Sequence, residues 1–217
     1  LPIFLSNQAT FVQMIIEHLR IVLIGESIAI VVGISIGLLT TRHQYLTQVS
    51  MSLGNVAQTL PPLGVIALTF TYLGIGQRPV ILALFLYALF PLIQNTVSGI
   101  NSVDDAQIEV GKAMGMTRLQ RLYRIEIPVG LPLIFAGIRT STVLGVSIAY
   151  LGTFIGGGGL GQWVVLGHQT FETQILLAGA IPGALLVILL DRLFARIETY
   201  ITPEGVQMSE TQNTFTA

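Results

Sequence analysis

The side chains that could carry out acid–base or metal chemistry are few and scattered along this sequence. Its three histidines, His18, His43 and His168, lie far apart and lack the spacing of metal ligands. The absence of cysteine excludes thiol catalysis and cysteine-based metal sites. Neither a lysine-bearing phosphate loop nor a local Ser/His/Asp signature is present. We therefore predict no catalytic residue, no metal site and no cofactor bound by this chain.

Composition predicts that the surroundings are a lipid bilayer. The 217 residues are 52% hydrophobic and only 10% charged, and the mean hydropathy is +0.77. Soluble domains carry about a quarter charged residues. No basic face with interleaved aromatic residues is present, which argues against nucleic-acid binding. We expect an all-α membrane protein with a single domain, residues 1–217.

Runs of apolar residues long enough to cross a bilayer predict about five transmembrane helices. The predicted spans are 21–39, 51–73, 79–101, 129–155 and 173–191. Residues 1–20 are expected to form a short interfacial helix, and residues 202–217 a flexible polar tail. The fifth span is expected to be interrupted at Pro182-Gly183, and the glycine run 156–159 to be non-helical.

The basic residues are divided unequally between the two sides of these spans. Two lie in segments on the side of the N-terminus, Arg20 and Arg78. Seven lie in segments on the other side: Arg42, Lys112, Arg118, Arg121, Arg124, Arg192 and Arg196. Because positive charge is enriched in cytoplasmic loops, we predict that the N-terminus is outside and the C-terminus is cytoplasmic.

The longest polar interruption between spans is the stretch Glu109 to Pro128. Asp104 is a candidate helix cap before it, and Thr117 with Gln120 reads as a capping box after Gly115. Pro128 is expected to block helix continuation. The pattern predicts two short helices that meet at a glycine, a shape suited to docking another protein. An ordinary basic cytoplasmic loop is the alternative.

Five residues within or beside the spans are candidates for a translocation path: Glu26, Pro61, Tyr72, Tyr87 and Asn95. A buried acid is costly in a membrane and usually faces protein or water, and tyrosine rings can bind a quaternary ammonium. The alternatives are a hydrogen-bonded acid at Glu26, a packing kink at Pro61 and lipid-facing tyrosines. Arg139, within the fourth span, is expected either to snorkel or to pair with an acid.

One spacing pattern in this stretch resembles the EAA signature of ABC importer permeases. It consists of Glu109-Val110-Gly111, then Gly115 after three residues, then Ile125-Glu126-Ile127-Pro128 after nine more. It departs from the signature at the two alanines and at the leucine. The segments QTLPPLGVIALTFTYLGIG, LYALFPLIQNT and AGIRTSTV look like the osmoprotectant branch of that superfamily. The resemblance covers nearly the whole chain.

This resemblance implies a type I ABC importer permease fold in the bacterial inner membrane, with residues 102–128 as a cytoplasmic coupling loop. It implies three partners: an ATP-binding subunit that carries ATP and Mg, a second permease copy, identical or paralogous, and a separate extracytoplasmic substrate-binding protein. The residues expected to couple to the ATPase are Glu109, Gly111, Met114, Gly115, Met116 and Arg118.

The implied substrates are quaternary amines such as glycine betaine, choline and carnitine. A permease for methionine or another amino acid is the alternative within transport. A membrane scaffold or enzyme subunit that uses the basic segment only for docking is the alternative outside it.

Overall fold

The structure, a computed structural model, describes residues 8–202 apart from the side chains of Gln44 and Ala57, and no strand occurs in this part of the chain. The predicted tail from residue 203 onward lies outside the described residues. The α-helices are α1 Gln8–Thr40, α2 Gln44–Thr59, α3 Pro62–Leu73, α4 Gln77–Asn101, α5 Asp105–Ala113, α6 Arg118–Arg121, α7 Ile127–Leu151, α8 Gly161–Thr170 and α9 Thr173–Ile201. A π-turn, Leu122–Glu126, and a 3₁₀ turn, Gly152–Ile155, flank α7.

Helix α4 forms the centre of the bundle, packed between α1 and α7. Glycines on α1 allow the close approach, since a Cβ at Gly33 would lie 2.7 Å from Leu92 Cβ and one at Gly37 2.6 Å from Thr96 Cβ. On the other side of α4, a Cβ at Gly99 would lie 2.7 Å from the Gly130 carbonyl oxygen of α7. Small residues therefore bring the three central helices together.

Four helical segments are long and apolar enough to cross a membrane: 8–40, 77–101, 118–155 and 173–201. The predicted second span, 51–73, is instead divided into α2 and α3 by extended backbone at Pro61, with φ −65° and ψ 132°. Helix α3 is about 18 Å long at 1.5 Å per residue, which is shorter than the hydrocarbon core. A fifth crossing would thus need both halves, and the five-span count stays a prediction.

The prediction of a separate interfacial helix in residues 1–20 is wrong for its described part, because residues 8–20 continue without a break into the first span. Their apolar face packs on protein, with the Phe11 ring stacked 5.5 Å from that of Trp163. His18 is fully buried beside Tyr150, with ring centroids 4.8 Å apart. Trp163 is likewise buried.

Two prolines that were expected to interrupt helices do not. Pro128 is the second residue of α7 and follows the π-turn directly, so the helix that begins at Arg118 runs into the fourth span. A proline is tolerated there because its missing amide lies next to the π-turn, where the regular i→i−4 hydrogen bonds of the helix are already interrupted. Pro182 lies inside an unbroken α9. The predicted span boundaries at 129 and at Pro182 are therefore corrected.

Arg139 pairs with acids rather than standing alone in its span. Its Nε lies 2.7 Å from Asp191 Oδ1, and its Nη1 lies 3.6 Å from Glu198 Oε2. The partners are on α9, so the ion pairs join α7 to the last helix. Of the two expectations for Arg139, pairing with an acid is confirmed.

Candidate functional site

Local hydrogen bonds cap both short helices of the coupling loop. The Asp104 side chain accepts a hydrogen bond from the Ala106 amide at 2.9 Å, at the start of α5. The Thr117 hydroxyl accepts one from the Gln120 amide at 3.3 Å, and the Gln120 side chain accepts one from the Thr117 amide at 2.8 Å. The predicted capping box is confirmed, and the segment is folded rather than irregular.

Gly115 makes the reversal between the two short helices. Its φ is +75°, a left-handed value that favours glycine. The Met116 amide donates to the Gly111 carbonyl at 3.0 Å, which closes the end of α5. Gly111 is buried where a Cβ would lie 2.8 Å from Ile125 Cδ1. Gly115, the glycine of the signature, thus forms the turn, whereas Gly111, at an alanine position of the signature, serves packing.

Two exposed apolar side chains lie one turn apart on α5 and its C-cap. Met114 is 70% exposed and Val110, one turn earlier, is 58% exposed. Met116 is half-buried, and Arg121 Nη1 donates to its carbonyl at 3.1 Å. Flexible methionine adapts to an irregular apolar groove, which suits Met114 better than Met116. Sequence reasoning treated Val110 only as a replacement for alanine, yet its place four residues before Met114 indicates the same face.

Charged residues border this apolar face. Lys112 Nζ lies 2.7 Å from Glu109 Oε1, and both side chains are exposed. The hydrogen bond and positive charge of Lys112 lower the pKa of the Glu109 carboxyl below its ordinary value. Arg118 is exposed at the start of α6. The loop therefore presents an apolar stripe with a charged rim to solvent.

Two of the candidate path residues lie together, at the break between α2 and α3. The Tyr87 hydroxyl donates to the Leu60 carbonyl, next to Pro61. Tyr87 also lines a cavity of about 500 Å³ between α2, α3 and α4, whose other lining side chains are mostly apolar and include Phe90. The proline break thus opens a space with aromatic rings in its wall.

The other three candidates lie elsewhere. Glu26 is buried on α1, where Ser141 of α7 donates to its Oε1. This contact matches the hydrogen-bonded alternative for Glu26. Asn95 is half-buried on α4 and donates to the Pro91 carbonyl at 2.8 Å, whereas Tyr72 is 86% exposed near the end of α3. The structure does not gather these residues into one site, and their roles in translocation stay predictions.

The glycine run is held by a residue that sequence reasoning missed. Glu17 Oε2, on α1, accepts from the Gly159 amide at 3.1 Å and from Gln162 Nε2 at 3.2 Å. Gly156, Gly158 and Gly159 have positive φ values, so the run is non-helical as predicted. Nothing in the local sequence around Glu17 indicates these contacts. Within residues 8–202, no group of three or more potential metal ligands is present.

Residues 29–203 match the family model described as "Binding-protein-dependent transport system inner membrane component". Over 199 residues the chain is 41% identical to the glycine betaine/carnitine/choline transport system permease protein OpuCD of Bacillus subtilis (strain 168), covering 91% of this chain and 87% of the relative. It is 34% identical to the osmoprotectant import permease protein OsmW of Salmonella typhimurium (strain LT2), covering 94% of this chain and 97% of the relative.

Solved structures share the fold at low sequence identity. An inward-facing conformation of the MetNI methionine ABC transporter matches with a TM-score of 0.80 at 20% identity, covering 91% of this chain and 99% of that chain. An amino acid ABC transporter with histidines matches with a TM-score of 0.70 at 17% identity, and the match covers 92% of this chain and 95% of that chain. The predicted all-α importer permease fold is confirmed, and the chain belongs to the family of binding-protein-dependent transport system inner membrane components.

Proposed function

We propose that this chain is the membrane-spanning permease subunit of an ATP-driven importer for quaternary-amine osmoprotectants such as glycine betaine, choline and carnitine. The observation that carries the proposal is the similarity to permeases named for these solutes, at 41% and 42% identity over 86% or more of the chain. As a transport subunit it has no catalysis of its own, and ATP hydrolysis belongs to a partner ATP-binding subunit.

The coupling loop supplies a docking surface for that partner. Val110 and Met114 form an exposed apolar stripe on α5, and the Glu109–Lys112 pair lies at its rim. Burial of such a stripe in a groove of the partner would release free energy, and the charged rim would set its register. The caps at Asp104 and Thr117 hold the stripe in shape before docking, which lowers the entropy cost of binding.

The proposed assembly has a second permease copy and a separate extracytoplasmic substrate-binding protein. The asymmetry of the basic residues supports an orientation with the coupling loop in the cytoplasm and the glycine run outside. The aromatic-walled cavity at Tyr87 is the part of this chain best suited to a solute with a quaternary ammonium, because such a cation is attracted to ring faces.

A methionine or amino-acid permease is the second candidate, and the solved structures favour it only as a fold. Identities of 17–21% support a common architecture and leave the transported solute open. The relatives at 34–42% identity favour quaternary amines.

Substrate is tested with the reconstituted transporter in proteoliposomes. Uptake of radiolabelled glycine betaine or choline should be competed by carnitine and unaffected by a hundredfold excess of methionine. Tyr87→Ala should weaken uptake, while Tyr200→Ala, which alters an exposed ring at the end of α9 and away from the cavity, should leave it unchanged. Uptake of methionine with indifference to all three amines would replace the proposal by the second candidate.

Docking is tested with two exposed glycines that share a positive φ. Gly74 and Gly115 both have φ +75°, and a Cβ at either would meet no atom within 4 Å. Valine at either position therefore places a side chain at a positive φ, which β-branched residues rarely adopt. We expect Gly115→Val to weaken pull-down of the ATP-binding subunit and to reduce uptake, and Gly74→Val to leave pull-down intact. Equal pull-down in both variants would contradict a docking role for the coupling loop.

The orientation in the membrane is tested by labelling single introduced cysteines, because the native sequence contains no cysteine that would react. Ile75 is 78% exposed beyond α3, and Gln120 is exposed in the coupling loop. In sealed right-side-out vesicles, an impermeant thiol reagent should label Ile75→Cys and should label Gln120→Cys only after permeabilisation. Labelling of Gln120→Cys in sealed vesicles would reverse the proposed topology.

A further inference from the structure

A second cavity, of about 480 Å³, lies between the coupling loop and the ends of α1 and α4. Its charged lining residues are Arg42, Asp105, Lys112, Arg118, Arg121 and Glu126. A water molecule occupies about 30 Å³ of liquid, so the cavity has the volume of roughly sixteen waters. This is enough space for a polar headgroup.

The charges around the cavity favour an anion. Four cationic side chains and two acidic ones, Asp105 and Glu126, form its wall. Lys112 already pairs with Glu109 outside the cavity. Among the described residues, Arg42 and Arg118 form no ion pair within 4 Å. Two arginines are thus left with their charge uncompensated by a close acid.

Arg121 also lines the cavity. Its Nη1 donates to the Met116 carbonyl at 3.1 Å, which holds the guanidinium group at the cavity wall. Its Nε is buried without a hydrogen-bond partner among the described residues, so a ligand would use the terminal guanidinium nitrogens. Guanidinium groups bind phosphate oxygens through paired N–H donors. The cavity therefore offers arginine donors of the kind that recognise a phosphate.

The cavity and the apolar stripe occupy different faces of α5. Asp105, Ile108 and Lys112 line the cavity, at the spacing of one helix face. Val110 and Met114 lie about half a turn away around the helix axis, given 100° per residue. A partner docked on the apolar stripe would leave the cavity open towards the ends of the spans.

The position of the cavity in the fold indicates which molecule would supply the phosphate. Thr41 and Arg42 follow the end of α1, and Ile100 and Asn101 end α4, so the cavity lies at the level where two apolar helices leave the bilayer. Basic pockets between membrane helices on the cytoplasmic side bind anionic headgroups. We propose that this cavity binds the phosphodiester headgroup of an anionic phospholipid from the inner leaflet, with Arg42, Arg118 and Arg121 as its ligands.

The proposal is tested by lipid retention. The full-length permease, incubated with equal amounts of phosphatidylglycerol and phosphatidylcholine, is analysed by native mass spectrometry for bound lipid. Each arginine near a headgroup contributes about fivefold in affinity, so Arg42→Gln/Arg121→Gln should bind phosphatidylglycerol roughly thirtyfold more weakly. The control is Arg192→Gln/Arg196→Gln, which removes two arginines from an open surface of α9 and should retain phosphatidylglycerol like the wild type.

The single variant Arg42→Gln controls for a folding defect in the double variant. Arg42 makes no hydrogen bond or ion pair with the coupling loop among the described residues, so its replacement should leave the fold intact. We expect Arg42→Gln to weaken phosphatidylglycerol binding about fivefold. Equal phosphatidylglycerol retention in wild type and double variant would overturn the proposal, as would an equal loss in the α9 control. Displacement of phosphatidylglycerol by millimolar inorganic phosphate would assign the cavity to a soluble anion and overturn the lipid source.

Discussion

The coupling loop and the glycine run 156–159 both contain turns with positive-φ glycines, yet these turns are stabilised in different ways. In the coupling loop, Thr117 and Gln120 cap each other across three residues. In the glycine run, the Gly159 amide and Gln162 depend on Glu17, which is 142 and 145 residues away in sequence. One turn is built from its own residues, whereas the other needs the first helix in place.

Because of this difference, contact with a partner should affect the rest of the bundle differently at the two turns. Gly115 is exposed and a Cβ there would meet nothing within 4 Å, so a partner can contact the turn of the coupling loop without disturbing the bundle. Gly159 is buried against His18. A change in the glycine run therefore alters the packing of α1, and the two turns should differ in their sensitivity to substitution.

The largest expected effect comes from placing alanine in each turn. Gly115 has φ +75° and Gly159 φ +79°, so both variants incur about 1–2 kcal/mol of left-handed strain. At Gly159 the new Cβ would also lie 2.9 Å from His18 Nδ1, adding about 1–3 kcal/mol of overpacking. Unfolding free energies from denaturant titration in mixed micelles should therefore fall more for Gly159→Ala than for Gly115→Ala. Equal losses would remove the contrast between the turns.

The next effect concerns the long-range anchor. Glu17→Ala would leave the Gly159 amide without its acceptor, which costs about 1–3 kcal/mol for a part-buried donor. Gln13→Ala is the matched control, because Gln13 donates to the other oxygen of Glu17 and does not touch the glycine run. Protease cleavage within the run should accelerate in Glu17→Ala and stay near wild type in Gln13→Ala. Faster cleavage in both would mean that the whole end of α1 has loosened.

A smaller and more local effect is expected at the coupling loop. Thr117→Ala removes the capping hydroxyl and should cost about 0.5–2 kcal/mol. Thr117→Ser keeps the hydroxyl and is the control. Hydrogen exchange of the amides in Arg118–Arg121 should accelerate in the alanine variant only. Faster exchange in the glycine run of the same variant would contradict the independence of the two turns.

The smallest effect is electrostatic. The pKa of Glu109 is lowered by Lys112, so the Glu109–Lys112 interaction contributes above the ordinary glutamate pKa and is lost as pH falls through the lowered value. Titration of a ¹³C-labelled Glu109 carboxyl should give a higher pKa in Lys112→Gln than in wild type. Arg196→Gln, far from the loop, should leave it unchanged. An unaltered midpoint in Lys112→Gln would mean that the pair does not persist in solution.

The same contrast explains what the sequence could predict. The capping box at Thr117 and the turn at Gly115 follow from residues within a few positions of each other, and both are observed. The anchor at Glu17 and the burial of His18 depend on which helices become neighbours, which no local pattern encodes. Composition also predicted the apolar spans, but not where prolines are tolerated, since that depends on their place within a helix turn.

The π-turn at Leu122–Glu126 gives the molecule a mechanical property. Because it joins α6 to α7 without a break, the stretch from Arg118 to Leu151 is one lever roughly 50 Å long at 1.5 Å per residue. A rigid tilt of one degree about its Arg118 end would move its Leu151 end by roughly 0.9 Å. Next to that end, Tyr150 contacts His18 and donates to the Gly179 carbonyl. A displacement of α6 would therefore reach α1 and α9 to the extent that the π-turn resists bending.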